Sequence, residues 1–164
     1  MNECKTERND PYTNNKGTMK RFKDKGELLS HFYDYRIVAC PKCSKPVDLQ
    51  DLKVTCIHCG FNKEFKPVDS WYSLHPITVE IEDFLKISCC GHTLWAMNLE
   101  HLDFLERYVE SDLRERAPNI NKSLASRLPK WIKSKKNRSE ILKGISRLRL
   151  RLNENNYKSK NTPS

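Results

Sequence analysis

Apolar positions along this chain of 164 residues change their spacing near Ala96. Before it they alternate with polar ones in short runs, as half-buried strands require. Tyr35–Ala39 reads as a strand, Val47–Leu49 and Lys53–Thr55 alternate about a tight Gln50–Leu52 connection, and Phe61–Lys66 alternates aromatic and charged residues. Ile77–Ile81 is a further strand candidate, and Glu27–Tyr33 has room for one or two helical turns. After Ala96 the apolar residues recur every three or four positions. Asn98 is placed as an N-cap, Leu102, Leu105, Val109 and Leu113 form one stripe, and Arg114 and Arg116 close the helix before Pro118. A second helical stretch starts near Ser123 and is broken by Pro129. A third starts near Asn137 or Ser139 and carries Ile141, Ile145, Leu148 and Leu152 on one face.

This layout predicts an α+β chain: short antiparallel strands first, then a helical C-terminal half. Residues 1–25 and 154–164 are too polar to bury a fixed shape and read as disordered tails, leaving a strand-rich unit over 26–87 and a helical one over 88–153. No stretch of 18 apolar residues exists, so a transmembrane helix is not expected. The first residues lack the apolar core of a secretory signal, which makes the cytoplasm the expected location.

Seven cysteines demand a reason. Cys40-Pro-Lys-Cys43 and Cys56-Ile-His-Cys59 are two C-x2-C units separated by 12 residues, enough for a hairpin that brings them together. In a reducing compartment such pairs read as metal ligands: four thiolates at tetrahedral angles suit one structural Zn²⁺. Iron is the rival occupant of an S4 site. Gly60 supplies the left-handed residue after the second unit, and Ser44 takes the corresponding place after the first. His58 is a competing ligand or a solvent-facing residue. A closed Cys4 site has no open coordination position, so it argues for scaffold and against catalysis.

With those residues in view, 35–66 resembles a zinc ribbon of the transcription-factor-IIB type, with a strand extension to residue 87. The rest, from Cys89-Cys90-Gly91-His92-Thr-Leu-Trp95 to Leu124-Ala-Ser-Arg-Leu-Pro-Lys-Trp-Ile132, resembles small uncharacterised bacterial zinc-ribbon proteins. That resemblance implies a family but no established activity. Some members carry a replication-restart helicase label, yet this chain has no Walker lysine loop and is too short for a helicase motor.

The Cys89–His92 segment has three readings: a buried turn in which Cys serves as a small apolar residue, a partial metal site with His92 and His101, or a thiol nucleophile at Cys89 or Cys90 activated by His92. No other catalytic signature is present, so a non-catalytic protein without a small-molecule substrate is expected.

Charge changes the picture of the C-terminal half. The formal net charge is +9, and residues 118–164 alone hold 13 basic and 2 acidic residues. Lys130, Lys133, Lys135, Lys136 and Arg138 surround Trp131, while Lys143, Arg147 and Arg151 lie four residues apart on one helical face. Cations concentrated this way exceed the needs of solubility and suit phosphates of DNA or RNA, with Trp131 available to stack on a base. An acidic protein partner is the alternative.

Overall fold

A computed structural model describes residues 19–66, 81–116 and 122–158. In chain order its elements are β1 (Arg21–Asp24), a 3₁₀ turn (Leu29–Phe32), β2 (Arg36–Ala39), β3 (Pro46–Gln50), β4 (Lys53–Thr55), β5 (Asn62–Glu64), β6 (Lys86–Cys89), β7 (His92–Trp95), α1 (Leu99–Glu110), β8 (Leu113–Arg116), α2 (Leu124–Arg127), α3 (Lys130–Lys133), a second 3₁₀ turn (Lys135–Asn137) and α4 (Arg138–Glu154). The fold is mixed α/β. Strands β2–β3–β4–β5 form an antiparallel sheet, β6–β7 a hairpin, and β1 pairs with β8 in parallel.

The run from Tyr35 to Cys40 is apolar at most positions because β2 is covered on both faces. Tyr35 and Ile37 enter a larger core, whereas Val38 and Cys40 enter a smaller one with Val47, Leu49, Val54 and Phe65. Period-2 alternation therefore divides one strand between two clusters. Its backbone is also tied outside its own sheet. The Ile37 N–H donates to Met97 O (2.7 Å), the Ala39 N–H to Glu82 O (2.8 Å), and the Phe84 N–H to Ile37 O (3.0 Å). A second tie comes from the far end of the chain, where the Tyr157 hydroxyl donates to Asp48.

The larger core is built from α1, α4 and the β6–β7 hairpin. Asn98 caps α1 through its side-chain oxygen, which accepts the His101 N–H at 3.0 Å. Its amide donates to Phe32 O and Tyr35 O, so the cap also pins the chain before β2. On α4 the expected row Ile141, Ile145, Leu148 and Leu152 is buried throughout, each burial stabilising by about 1.5–3 kcal/mol. Arg149 joins α4 to Asp103 and Glu106 of α1.

Four expectations need correction. The N-terminal tail was expected to reach residue 25, but Arg21–Asp24 forms β1, because Phe22 makes edge contacts with Phe104 and Tyr108 and β8 offers a partner strand. Helix α1 ends at Glu110 rather than Arg116: the Ser111 backbone is extended, its hydroxyl donates to Tyr108 O, and Leu113–Arg116 becomes a strand. The unit expected to be helical from residue 88 therefore contains β7 and β8 as well as the end of β6. Beyond Asn153, Tyr157 packs against the larger core instead of fraying. Of the strand expected over Ile77–Ile81, residues 77–80 lie outside the described residues, and Ile81 is buried in the smaller core outside any strand.

Candidate metal centre and the surfaces around it

Each C-x2-C unit folds as a tight loop whose geometry follows from its own residues. In the first, the Ser44 N–H donates to Cys40 O (2.8 Å) and the Cys40 N–H to Lys45 O (2.9 Å). In the second, the Gly60 N–H donates to Cys56 O (3.0 Å) and the Cys56 N–H to Phe61 O (2.7 Å). The residue after each loop is left-handed, Ser44 at φ 58° and Gly60 at φ 70°, so the two expected positions do take the same conformation. The β3–β4 hairpin between the loops then brings them face to face. The four Sγ atoms lie within 4.8 Å of one another, Cys40 to Cys59 and Cys43 to Cys56 each at 3.6 Å.

Such a set can hold one metal ion, and soft thiolates alone suit zinc or iron. Burial pushes the Cys40 thiol up, but the amides of Cys43 and Lys42 and the facing thiols outweigh it and bring it down to about 7. At Cys59 the Phe61 amide works downward, yet burial and the three other thiols carry it up to about 12. Four thiolates in one small space repel, and a cation at their centre removes that conflict. Cys40 and Cys56 are buried while Cys43 and Cys59 are half-buried; His58 is exposed and lies outside the cluster.

The Cys89–His92 segment is a two-residue hairpin turn. Cys89 pairs with His92 across the β6–β7 ladder, and Cys90 (φ 52°) and Gly91 (φ 74°) are both left-handed, as a type I′ loop demands. Cys89 is buried, and burial together with the Cys90 thiol 3.7 Å away pushes it up to about 12. His92 stacks on Trp131 (5.0 Å, 14° between planes), and among the described residues no hydrogen bond joins it to either thiol. His101 is buried elsewhere, its Nδ1 accepting the Met97 N–H at 3.3 Å. The segment thus takes the form of the buried-turn reading, and among the described residues neither the cysteines nor the histidines converge on a second cluster.

The basic residues divide into two groups. Arg138 donates to Asp112 (2.7 Å) and to Ser111 O (2.6 Å), Lys133 donates to Ser126 O (2.7 Å), and Arg151 donates to Phe84 O (2.6 Å) and Lys86 O (3.2 Å) while lying over the Phe84 ring. These three tie elements of the fold together through the donors named. Lys130, Lys135, Lys136, Lys143 and Arg147 are exposed and form no ion pair among the described residues. Trp131 is half-buried at the edge of the larger core.

Compared with known protein families, curated proteins and solved structures, the chain finds no match. Among the described residues no helix is long and apolar enough to cross a membrane.

Proposed function

We propose that this chain is a non-catalytic zinc-ribbon protein that binds nucleic acid through its remaining basic surface, the metal serving as scaffold. The convergence of Cys40, Cys43, Cys56 and Cys59 carries the reading, since four thiolates close a tetrahedral site and leave no position for substrate. The antiparallel sheet with a C-x2-C loop before β3 and another before β5 supports the ribbon class. Nucleic acid is favoured as partner by the net +11 of residues 118–164 and by the five exposed cations that form no ion pair among the described residues.

The test is a fluorescence-anisotropy titration of zinc-loaded protein against DNA and RNA at two salt concentrations. Salt-sensitive binding is expected, and replacing Lys130, Lys135 and Lys136 with Ala together should reduce the slope of log K against log salt concentration by about 2–3, near 0.9 for each phosphate no longer neutralised. An unchanged slope, or weak binding beside nuclease-resistant recovery of one acidic protein, would replace nucleic acid with a protein partner.

A further inference from the structure

Beside the basic segment lies a groove of about 840 Å³, within the size range of ligand sites. Its walls come from the turn before β2, from β7 and from α2–α3, and include Tyr33, Trp95, Leu128 and Trp131. Three features set it apart. Trp95 is 39% exposed, although β7 buries its neighbour Leu94 to 1%. The strand's alternation turns Leu94 onto α4 and leaves a large indole toward solvent, where its burial energy is unrealised. The indole stands edge-on to His101 (5.5 Å, 86°), a ring fixed in turn by its stack on Phe32. Trp131, also part of its wall, is held flat against His92. The charge lining the groove is of one sign: Lys122 and Arg127 belong to its wall, and no Asp or Glu does among the described residues. Lys130, exposed at the start of α3, extends that charge toward Lys135 and Lys136.

A groove with flat apolar rings held in place and, among the described residues, cations as its charged lining fits a ligand that is flat, apolar and anionic at once. Bases of a nucleic acid meet that description only when they are unpaired, because a duplex stacks and hides their faces. An acidic peptide shares the charge but brings no row of flat rings. We infer that this groove is a base-stacking site for single-stranded nucleic acid, with Trp95 as its platform and Arg127 and Lys122 beside the strand's phosphates. The inference rests on the nucleic-acid reading above and narrows it to unpaired strands.

The experiment uses the full zinc-loaded chain and three labelled probes: a single strand of about 16 nucleotides, the upper site size of such grooves, an abasic strand of equal length, and a duplex. The base-bearing strand is expected to bind about tenfold or more tighter than the abasic one, the effect of one missing stack, and to quench tryptophan emission. Trp95→Ala should erase that preference and leave abasic binding unchanged. Trp95→Phe, which keeps a ring and the fold, should retain the preference with a weaker quench. Equal binding of base-bearing and abasic strands, or a preference that survives Trp95→Ala, overturns the stacking site while leaving the nucleic-acid reading standing. Failure of all three probes to bind removes both.

Discussion

His101 is the residue whose ionisation is most clearly bound to the fold. Burial pushes its imidazole down to about 4 from an ordinary 6.5, the ring packing against Phe32 and Trp95 away from water. Between those two values the unfolded chain binds a proton that the folded chain does not. Stability contributed by the neutral ring is therefore intact above about pH 6.5 and falls as pH drops toward 4, by at most about 1.4 kcal/mol per pH unit, the limit for one proton bound only in the unfolded state. Thiolate protonation would release a metal held at the Cys4 site over acidic pH too, so the wild-type slope alone does not isolate the histidine. His101→Gln keeps an acceptor for Met97 and cannot ionise. Denaturant unfolding of both proteins between pH 6.5 and 4.5 is expected to give a shallower loss for the variant. Parallel slopes would mean that His101 is charged within the fold.

At the scale of elements, the close approach of α4 to the β6–β7 hairpin depends on one missing side chain. A Cβ at Gly144 would lie 3.2 Å from Leu94 Cδ2 and 3.7 Å from both Cys89 Sγ and Ile87 Cγ2. Gly144→Val would drive two further methyls into that contact, and a loss of about 1–3 kcal/mol is expected. Ser146→Val, on the exposed face of the same helix, should stay within about 0.5 kcal/mol. Equal effects at both positions in chemical denaturation would mean that β-branching, not packing, sets the cost. The same helix marks what the sequence made legible. Its apolar row and the cap at Asn98 are signals carried within a few residues, as are the two C-x2-C loops, and the structure has them where the pattern put them. The end of α1 was not legible, because the strand that follows it exists only through pairing with Arg21–Asp24 at the other end of the sequence. Nor could the spacing of Lys143, Arg147 and Arg151 reveal that the last is held by carbonyls beside β6. Trp95 is hidden for a related reason. A tryptophan beside Leu94 reads as core, and only the packed hairpin turns the two in opposite directions.

For the whole molecule, the decisive relation is between two cores that share β2 yet differ in what supports them. Among the described residues the larger contains 23 buried members drawn from strands and helices; the smaller contains 8, of which Cys40 and Cys56 are metal ligands in the proposed site. A cluster that small cannot offset the chain entropy of β3–β5, and β5 adds no buried residue to it. A metal held at the proposed site would therefore supply much of the folding free energy of this sheet, as in small metal-dependent domains, where it amounts to about 10–16 kcal/mol. The larger core does not share that dependence, since its contacts between α1, α4 and the β6–β7 hairpin include no ligand. Removing the metal with a chelator at neutral pH should then open the molecule in part. Hydrogen exchange followed by mass spectrometry is expected to show rapid labelling of peptides covering Val47–Phe65, while Ile141–Leu152 remains protected. Peptides covering β2 should behave as intermediates, because Ile37 stays bonded to Met97 and Phe84 when its neighbours in β3 let go. Loss of protection in α4 together with the sheet would show instead that the ties at β2 and between Tyr157 and Asp48 make the two cores one cooperative unit.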